Sequence, residues 1–335
     1  MQQRRTRNRG DNTRNEIPPH VVPIINQMKT MTSVPEILDI MVANSPVAKV
    51  QEVGCMKFRN LSSHPSFISG IRDAGGIGYI IRAMDQHISN KGVQEQGCAA
   101  LWCLSVNGDE NKDAIQLEGG ITSIVNAMRE FGGNICLLTW AIGALCSLSY
   151  HPTCKVFIGS SGGIVEIVRA MQAQGSSTAV QELGLKCLWN LARESQSNVE
   201  SICYHDGVTT TVTAISDHSS CDIIQEWGCK VLCVMGSFYN DMHNNDVLRS
   251  IVEVGGLAAV VSIMRDHMRN SDVVSASMTF LASTAQIPDC CENIVSAGGI
   301  DAVSSAILAY YQSRNGDTIK NQGCSILANL ALHSS

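Results

Sequence analysis

Gln94-Glu95-Gln96-Gly97-Cys98-Ala99-Ala100-Leu101 decides how this chain is read, because it recurs. Gln51-Glu52-Val53-Gly54-Cys55 stands 43 residues earlier, and Gln181-Glu182-Leu183-Gly184-Leu185, Gln225-Glu226-Trp227-Gly228-Cys229 and Gln322-Gly323-Cys324 follow in phase. A second series keeps the same phase: Gly75-Gly76-Ile77, Gly119-Gly120-Ile121, Gly162-Gly163-Ile164, Gly255-Gly256-Leu257 and Gly298-Gly299-Ile300, with Asp206-Gly207-Val208 as a partial copy. A third column reads Met41, Met84, Met128, Met171, Ile215, Met264, Ile307. Self-similarity at such a period means stacked supersecondary units, each contacting its neighbours, and an extended surface. That architecture points to binding rather than chemistry.

Each unit reads as three helices. In the clearest one, residues 110–118 form a short helix ended by Gly119-Gly120. Residues 120–130 form a second, with Ile121, Ile124, Val125 and Met128 at i, i+3, i+4, i+7 spacing. Residues 135–149 form a longer third. Ser45-Pro46, Asn90, Ser177-Thr178, Ser219-Ser220 and Ser271 are read as the starts of third helices, being N-cap types, with Pro46 suited to the first helical position. The glutamate of each Gln-Glu pair then lies near a positive helix end. The phase predicts an all-α solenoid of about seven units, at 17–63, 64–107, 108–150, 151–194, 195–239, 240–286 and 287–335, forming a single repeat domain over 17–335. Gly228 to Gly256 spans 28 residues where other units take 22 or 23, which predicts a longer surface loop around 238–246. A smaller insertion falls at residues 310–316.

Residues 1–16 hold five arginines against Asp11 and Glu16, a net of +3, and are read as a disordered tail. The remainder holds 19 basic and 28 acidic residues, a net of −9. An acidic body argues against general nucleic-acid binding, which wants a basic face. No run of 18 apolar residues is present, so no transmembrane segment is expected. No apolar signal region follows Met1, and the fourteen cysteines fall on packing positions: Cys55, Cys98, Cys229 and Cys324 share a column with Ile142, Leu185 and Ser277. Reduced thiols in an intracellular protein are the expectation, cytoplasmic or nuclear.

The third helix has two faces. Its core stripe is Gly97/Leu101/Leu104, repeated as Gly54/Phe58/Leu61, Ala141/Leu145/Leu148, Gly184/Leu188/Leu191, Gly228/Leu232/Met235, Ala276/Phe280/Ser283 and Gly323/Leu327/Leu330. Three columns make the opposite face. They are Val53, Gln96, Trp140, Leu183, Trp227, Ser275, Gln322; then Met56, Ala99, Gly143, Lys186, Lys230, Met278, Ser325; then Asn60, Cys103, Ser147, Asn190, Val234, Ala282, Asn329. Trp140, Lys186, Asn190, Trp227 and Lys230 fall on three consecutive third helices. They are the candidate groove residues, with Asn60 and Asn329 as further backbone-pairing amides. The bland alternative has Trp140 and Trp227 packing across the groove wall onto neighbouring helices. Trp102 and Trp189, at the edge of the face, are read as partly buried packing residues.

Together the three-helix unit, the glycine break and third helices such as Cys187-Leu188-Trp189-Asn190-Leu191-Ala192 resemble the armadillo repeat family over about residues 17–335. The resemblance implies a right-handed superhelix whose third helices line a concave groove that takes extended peptides. Importin-α-like members show a Trp in the second of the columns above with an Asn four residues on. Here that column holds no tryptophan, so nuclear-import cargo is not expected. β-Catenin-like grooves are strongly basic, whereas Lys186 and Lys230 stand here beside glutamates, so a long acidic-peptide site is not expected either.

No phosphate-binding loop, dinucleotide fingerprint or His-Glu-x-x-His motif is present. Cys229 and Cys233 are spaced for one face of a metal site but lack a second pair nearby. Cys290-Cys291 at a helix start is a candidate low-pKa thiol pair. The expectation is a non-enzymatic scaffold or adaptor with a protein partner, an extended peptide or the edge of a folded domain. No cofactor, metal or small-molecule substrate is expected. Two other readings stay open: a regulatory subunit of an enzyme or small GTPase, and a structural subunit of a larger cytoskeletal or membrane-associated assembly.

Overall fold

A computed structural model describes residues 18–106, 108–237, 245–313 and 316–333. The arginine-rich segment 1–16 and most of the 238–246 insertion lie outside the described residues. A 3-10 turn at Pro19–Val21 leads into twenty-one α-helices, grouped as seven triplets, and the described residues form no strand. The third triplet, for example, is Asp109–Leu117, Gly120–Glu130 and Ile135–Leu148. Third helices pack side by side in chain order, and second helices do the same. Buried side chains from Val21 to Leu330 join in one continuous core.

The double glycine has two separate jobs. Gly75, Gly119, Gly162, Gly255 and Gly298 take left-handed backbone at φ 75–85°, where a Cβ is strained. Asp206 adopts the same conformation without being glycine (φ 63°). The second glycine faces a close approach: a Cβ on Gly120 would sit 2.6 Å from Ile115 Cγ2 and 2.9 Å from its carbonyl oxygen. The fifth unit keeps this glycine as Gly207. The glycine of the third helix answers the methionine column, since a Cβ on Gly97 would meet Met84 Cγ at 2.5 Å.

The recurring glutamine is a buried clamp. Gln94 Nε2 donates to the carbonyls of Met84 (2.6 Å) and His87 (3.0 Å), satisfying the end of the second helix. Gln51, Gln181 and Gln225 do the same in their units. A separate ladder ties neighbouring units at five of the six steps. His87 Nε2 donates to Ser45 O, Gln174 Nε2 to Gly132 O, His218 Nε2 to Gly175 O, His267 Nε2 to Ser219 O and Tyr310 Oη to Met268 O. Each rung leaves the C-terminal end of a second helix, so all five lie along the edge where second helices turn into third ones.

Three local expectations are corrected. In the sixth unit the third helix (Ser271–Thr284) sits one residue out of the expected register. Ser277, 13 residues after Met264 as Gly97 is after Met84, takes the small-residue position and is fully buried. Met278 is buried in the cysteine column rather than facing the groove, and Thr279 is exposed in its place. A serine where glycine stands elsewhere hid this register. Third-helix capping comes from asparagine, whose side chains at Asn90, Asn134 and Asn270 accept from backbone N–H groups. Ser45-Pro46 and Ser219-Ser220 stand before the N-cap positions of the helices that start at Ala48 and Asp222. Finally, Cys290 and Cys291 are buried, and desolvation raises both thiols, Cys290 to about 11, so the vicinal pair is not activated.

Candidate functional site

The exposed side of the third-helix row is built around two tryptophan pairs. Trp140, on Ile135–Leu148, meets Trp102, on Lys91–Ser105, edge to face with centroids 5.4 Å apart at 65°. Trp227, on Asp222–Ser237, meets Trp189, on Thr178–Ala192, at 5.2 Å and 71°. All four rings are half-buried. Trp140 and Trp227 therefore do pack onto the neighbouring helix, and each keeps part of its surface in solvent. Edge-to-face contact aligns a positive ring edge with a negative face and holds the rings without burying them fully.

Cations cover the ring faces. Lys186 Nζ lies 5.5 Å and Lys230 Nζ 4.4 Å from the Trp227 centroid. Each ammonium also binds the glutamate one turn earlier, Glu182 and Glu226 respectively. Arg193 Cζ stacks 4.8 Å from Trp189, and Arg59 Cζ, from the first unit, reaches 5.7 Å from Trp140. A cleft of about 410 Å³ runs between the third helices of the fourth, fifth and sixth units, walled by Trp189, Arg193, Glu226, Lys230, Cys233 and Thr279.

Of the seven residues read from sequence, the structure brings together Lys186, Trp227 and Lys230, and sets Trp140 on the preceding pair. Asn190 is a correction. It is 3% exposed, and its Nδ2 donates to Ser149 Oγ at 2.7 Å, so it holds two units together instead of facing a ligand. Helical phase sets it on the same column as the half-buried Cys103 and Val234, but the bond to Ser149 of the preceding unit draws it inward. Asn60 is exposed, and its Oδ1 accepts from Arg59 at 3.3 Å. Asn329 is half-buried on Gly316–His333, one unit beyond the cleft. Trp102 and Trp189 are half-buried packing residues, as the sequence reading expects, and they support Trp140 and Trp227; Arg59 and Arg193, which the sequence reading does not single out, also lie over these rings. The signal for the tryptophan pairs is present in the sequence: Trp102 and Trp189 are 87 residues apart, as are Trp140 and Trp227.

Among the described residues no three His, Cys, Asp or Glu side chains are grouped as a metal site would need. Cys229 is fully buried, and desolvation pushes its thiol up to about 12. No single described helix is long and apolar enough to cross a membrane.

Designed armadillo repeat proteins superpose on this chain. One, computationally designed for modular peptide recognition, gives a TM-score of 0.64 at 12% identity over 76% of this chain and 99% of its own. The chain has the armadillo-type solenoid fold. A second designed armadillo protein, in complex with the peptide (KR)4, matches with a TM-score of 0.62 at 12% identity over 76% of this chain and 99% of its own. An engineered protein matches with a TM-score of 0.63 at 20% identity over 80% and 98%. No family model matches the armadillo-type chain, and no curated protein does. At these identities the likeness speaks for the fold and not for the ligand.

Proposed function

We propose that this armadillo-type chain is a non-enzymatic scaffold or adaptor that binds an extended segment of a partner protein along the groove of its third helices. The observation that carries the reading is the half-buried pair Trp189–Trp227, of which Trp189 walls an open cleft, stacked with Lys186, Arg193 and Lys230. Partly exposed tryptophan flanked by basic side chains is the composition of an interface centre. The similar fold in complex with (KR)4 supports a peptide as the kind of ligand, though its own sequence preference is not carried over. The test is selection of a random peptide display library on the purified protein, followed by binding of the selected peptides to a Trp140→Ala, Lys186→Ala, Trp227→Ala variant of matched helicity. Peptides that bind the parent and lose the variant support the groove. Selected peptides indifferent to the variant, or no binders at all, overturn it.

One observation favours a second reading, a regulatory subunit touching a folded domain by its edge. Leu117, Val156 and Tyr204 are 84%, 67% and 83% exposed on the first helices of three consecutive units. If that edge is the working face, Leu117→Ser with Tyr204→Ser abolishes co-purification of a native partner that the groove variant retains.

A further inference from the structure

The exposed apolar residues of the first helices are confined to one stretch of the solenoid. Each first helix ends at a left-handed turn residue: Gly75, Gly119, Gly162, Asp206, Gly255 and Gly298 in the second to seventh units. Two residues before it stand Asp73, Leu117, Ser160, Tyr204, Glu253 and Ser296. Six residues before it stand Ser69, Asp113, Val156, Glu200, Arg249 and Glu292. These two positions are four apart and share one helix face. The second, sixth and seventh units are polar at both. The third to fifth carry Leu117, Val156 and Tyr204, all well exposed, with Phe157 beside Val156 also at the surface. A single exposed apolar side chain needs no explanation, but a group confined to three adjoining helices is a patch.

The patch stands on a fixed ridge. Thr153 Oγ1 donates to Gln116 Oε1 at 2.7 Å, joining the first helices Asp109–Leu117 and Pro152–Ser160. Gly159 lets Asn198, on Gln196–Tyr204, lie directly against Pro152–Ser160. Tyr204 is steadied edge to face by His205, with centroids 5.0 Å apart at 87°. The charge around the patch has one sign. Asp113 and Glu200 flank Val156 in its own row, and among the described residues no Lys or Arg reaches either carboxylate. Asp113 has His151 at 3.5 Å, and Glu200 accepts from Gln196 Nε2 at 3.0 Å. The lysines of the same helices are engaged elsewhere, Lys112 with Asp109 and Lys155 with the carbonyl of Arg193. Such a rim repels anionic lipid headgroups and nucleic acid and attracts cationic side chains. An extended segment would gain no backbone hydrogen bonds from a row of helices, whereas a helix arrives with its own already made.

Resting on the edge reading above, we infer that the first helices of the third to fifth units dock one amphipathic helix of a partner protein, its apolar stripe flanked by lysine or arginine. Leu117 and Tyr204 are equivalent positions two units apart, as are Asp113 and Glu200. Neighbouring helix axes lie roughly 8–10 Å apart, so each pair spans roughly 16–20 Å. A helix rising about 1.5 Å per residue covers that distance in about eleven to thirteen residues. The partner's stripe lies on Leu117, Val156 and Tyr204, with Phe157 near its middle. Two of its basic residues, about eleven to thirteen positions apart, meet Asp113 and Glu200.

The probe is a phage-displayed library of alanine-rich helices of about twenty residues. Its stripe positions vary among leucine, isoleucine, valine and phenylalanine, and its flanking positions among lysine, arginine, glutamate and serine. Selection on the full chain is expected to enrich lysine and arginine at the flanks. The winners, made with a fluorescein label, are then measured by anisotropy. Leu117→Ser with Val156→Ser should weaken them about tenfold or more, as loss of buried apolar contact does. Asp113→Asn and Glu200→Gln should each weaken them about threefold to fivefold, and together should flatten their salt dependence. The Trp140→Ala, Lys186→Ala, Trp227→Ala groove variant should bind them like the parent. All four edge side chains are exposed, and a melting curve checks that the variants fold. Winners indifferent to Leu117→Ser with Val156→Ser, winners with glutamate at the flanks, or no winners at all would overturn the inference. Co-purification of the native partner then decides the edge reading beneath it. Lost with Leu117→Ser and Tyr204→Ser, the edge stands and takes a partner other than a basic helix, so the inference fails alone. Retained, both fall.

Discussion

Gln181 holds the carbonyl of Met171, ten residues upstream, at 2.8 Å, and that of Gln174 at 3.2 Å, from a position 1% exposed. One amide thus joins the start of a third helix to the end of the second helix folded against it. A buried carbonyl deprived of its donor keeps its full desolvation cost. Gln181→Leu, close in volume, is expected to destabilise the chain by about 1–3 kcal/mol. Denaturant unfolding followed by circular dichroism measures it, and an unchanged midpoint would show the clamp to be replaceable.

The left-handed turn before the second helix offers a gain. Asp206 takes φ 63° where the other turns of this type use glycine. A side chain there costs about 1–2 kcal/mol in the native state, offset in part by the freedom glycine has when unfolded. Asp206→Gly is expected to stabilise by about 0.5–1 kcal/mol. Its exposed site on the outer turn leaves peptide binding as the control that must not move.

Two glycines should respond differently to the same methyl group. On Gly97 a Cβ meets Met84, an unbranched side chain that can swing aside. On Gly120 it meets the carbonyl oxygen of Ile115 at 2.9 Å, which is fixed by helix geometry. Gly120→Ala is expected to cost about 2–3 kcal/mol and Gly97→Ala about 1 kcal/mol or less, since overpacking is relieved only where a neighbour can yield. Equal losses would mean the methionine column is as rigid as backbone.

Thiol chemistry sets an upper pH limit. Burial raises Cys55 and Cys229 to about 12 and Cys154 and Cys290 to about 11, desolvation being the largest cause in each case. An unfolded thiol ionises near pH 8.5. Folded pKa values above the unfolded one mean that this stability is fully present below about pH 8.5 and is lost as pH rises towards 11–12. Each such thiol contributes a slope of up to about 1.4 kcal/mol per pH unit in that window. Melting temperature under reducing conditions should therefore be flat from pH 7 to 8 and fall steadily from about pH 9. In the native state Cys136 and Cys324, both exposed, should react first with a thiol reagent.

The period, the three-helix unit and the helix bounds of the third unit were legible because glycine, methionine and glutamine recur where backbone and core demand them. Legibility failed where one residue type substitutes for another. Ser277 in place of glycine shifted the reading of the sixth unit by one residue. The glutamine was read only for the glutamate beside it, since a bond reaching back ten residues across a turn leaves no local pattern. Within the site, Trp140, Lys186, Trp227 and Lys230 were found by helical phase. Arg59 and Arg193 were not, because their long side chains act away from their own positions, Arg59 on a ring two units further on. Asn190 was misplaced because helical phase cannot tell a side chain facing solvent from one facing the next helix.

The five cross-unit hydrogen bonds from second-helix ends all lie along one edge of the solenoid, and the step between the second and third units lacks one, Phe131 standing where a rung would begin. An edge tied at fixed length while the opposite rim is held by softer side-chain contacts behaves as the spine of a fan. Tension or an arriving ligand spreads the far rim and hardly lengthens the spine, so bending and twisting are coupled. At that step Ser123 Oγ donates instead to Asp85 Oδ1 at 2.6 Å, so the second and third units are pinned between their second helices at a different point from the other steps.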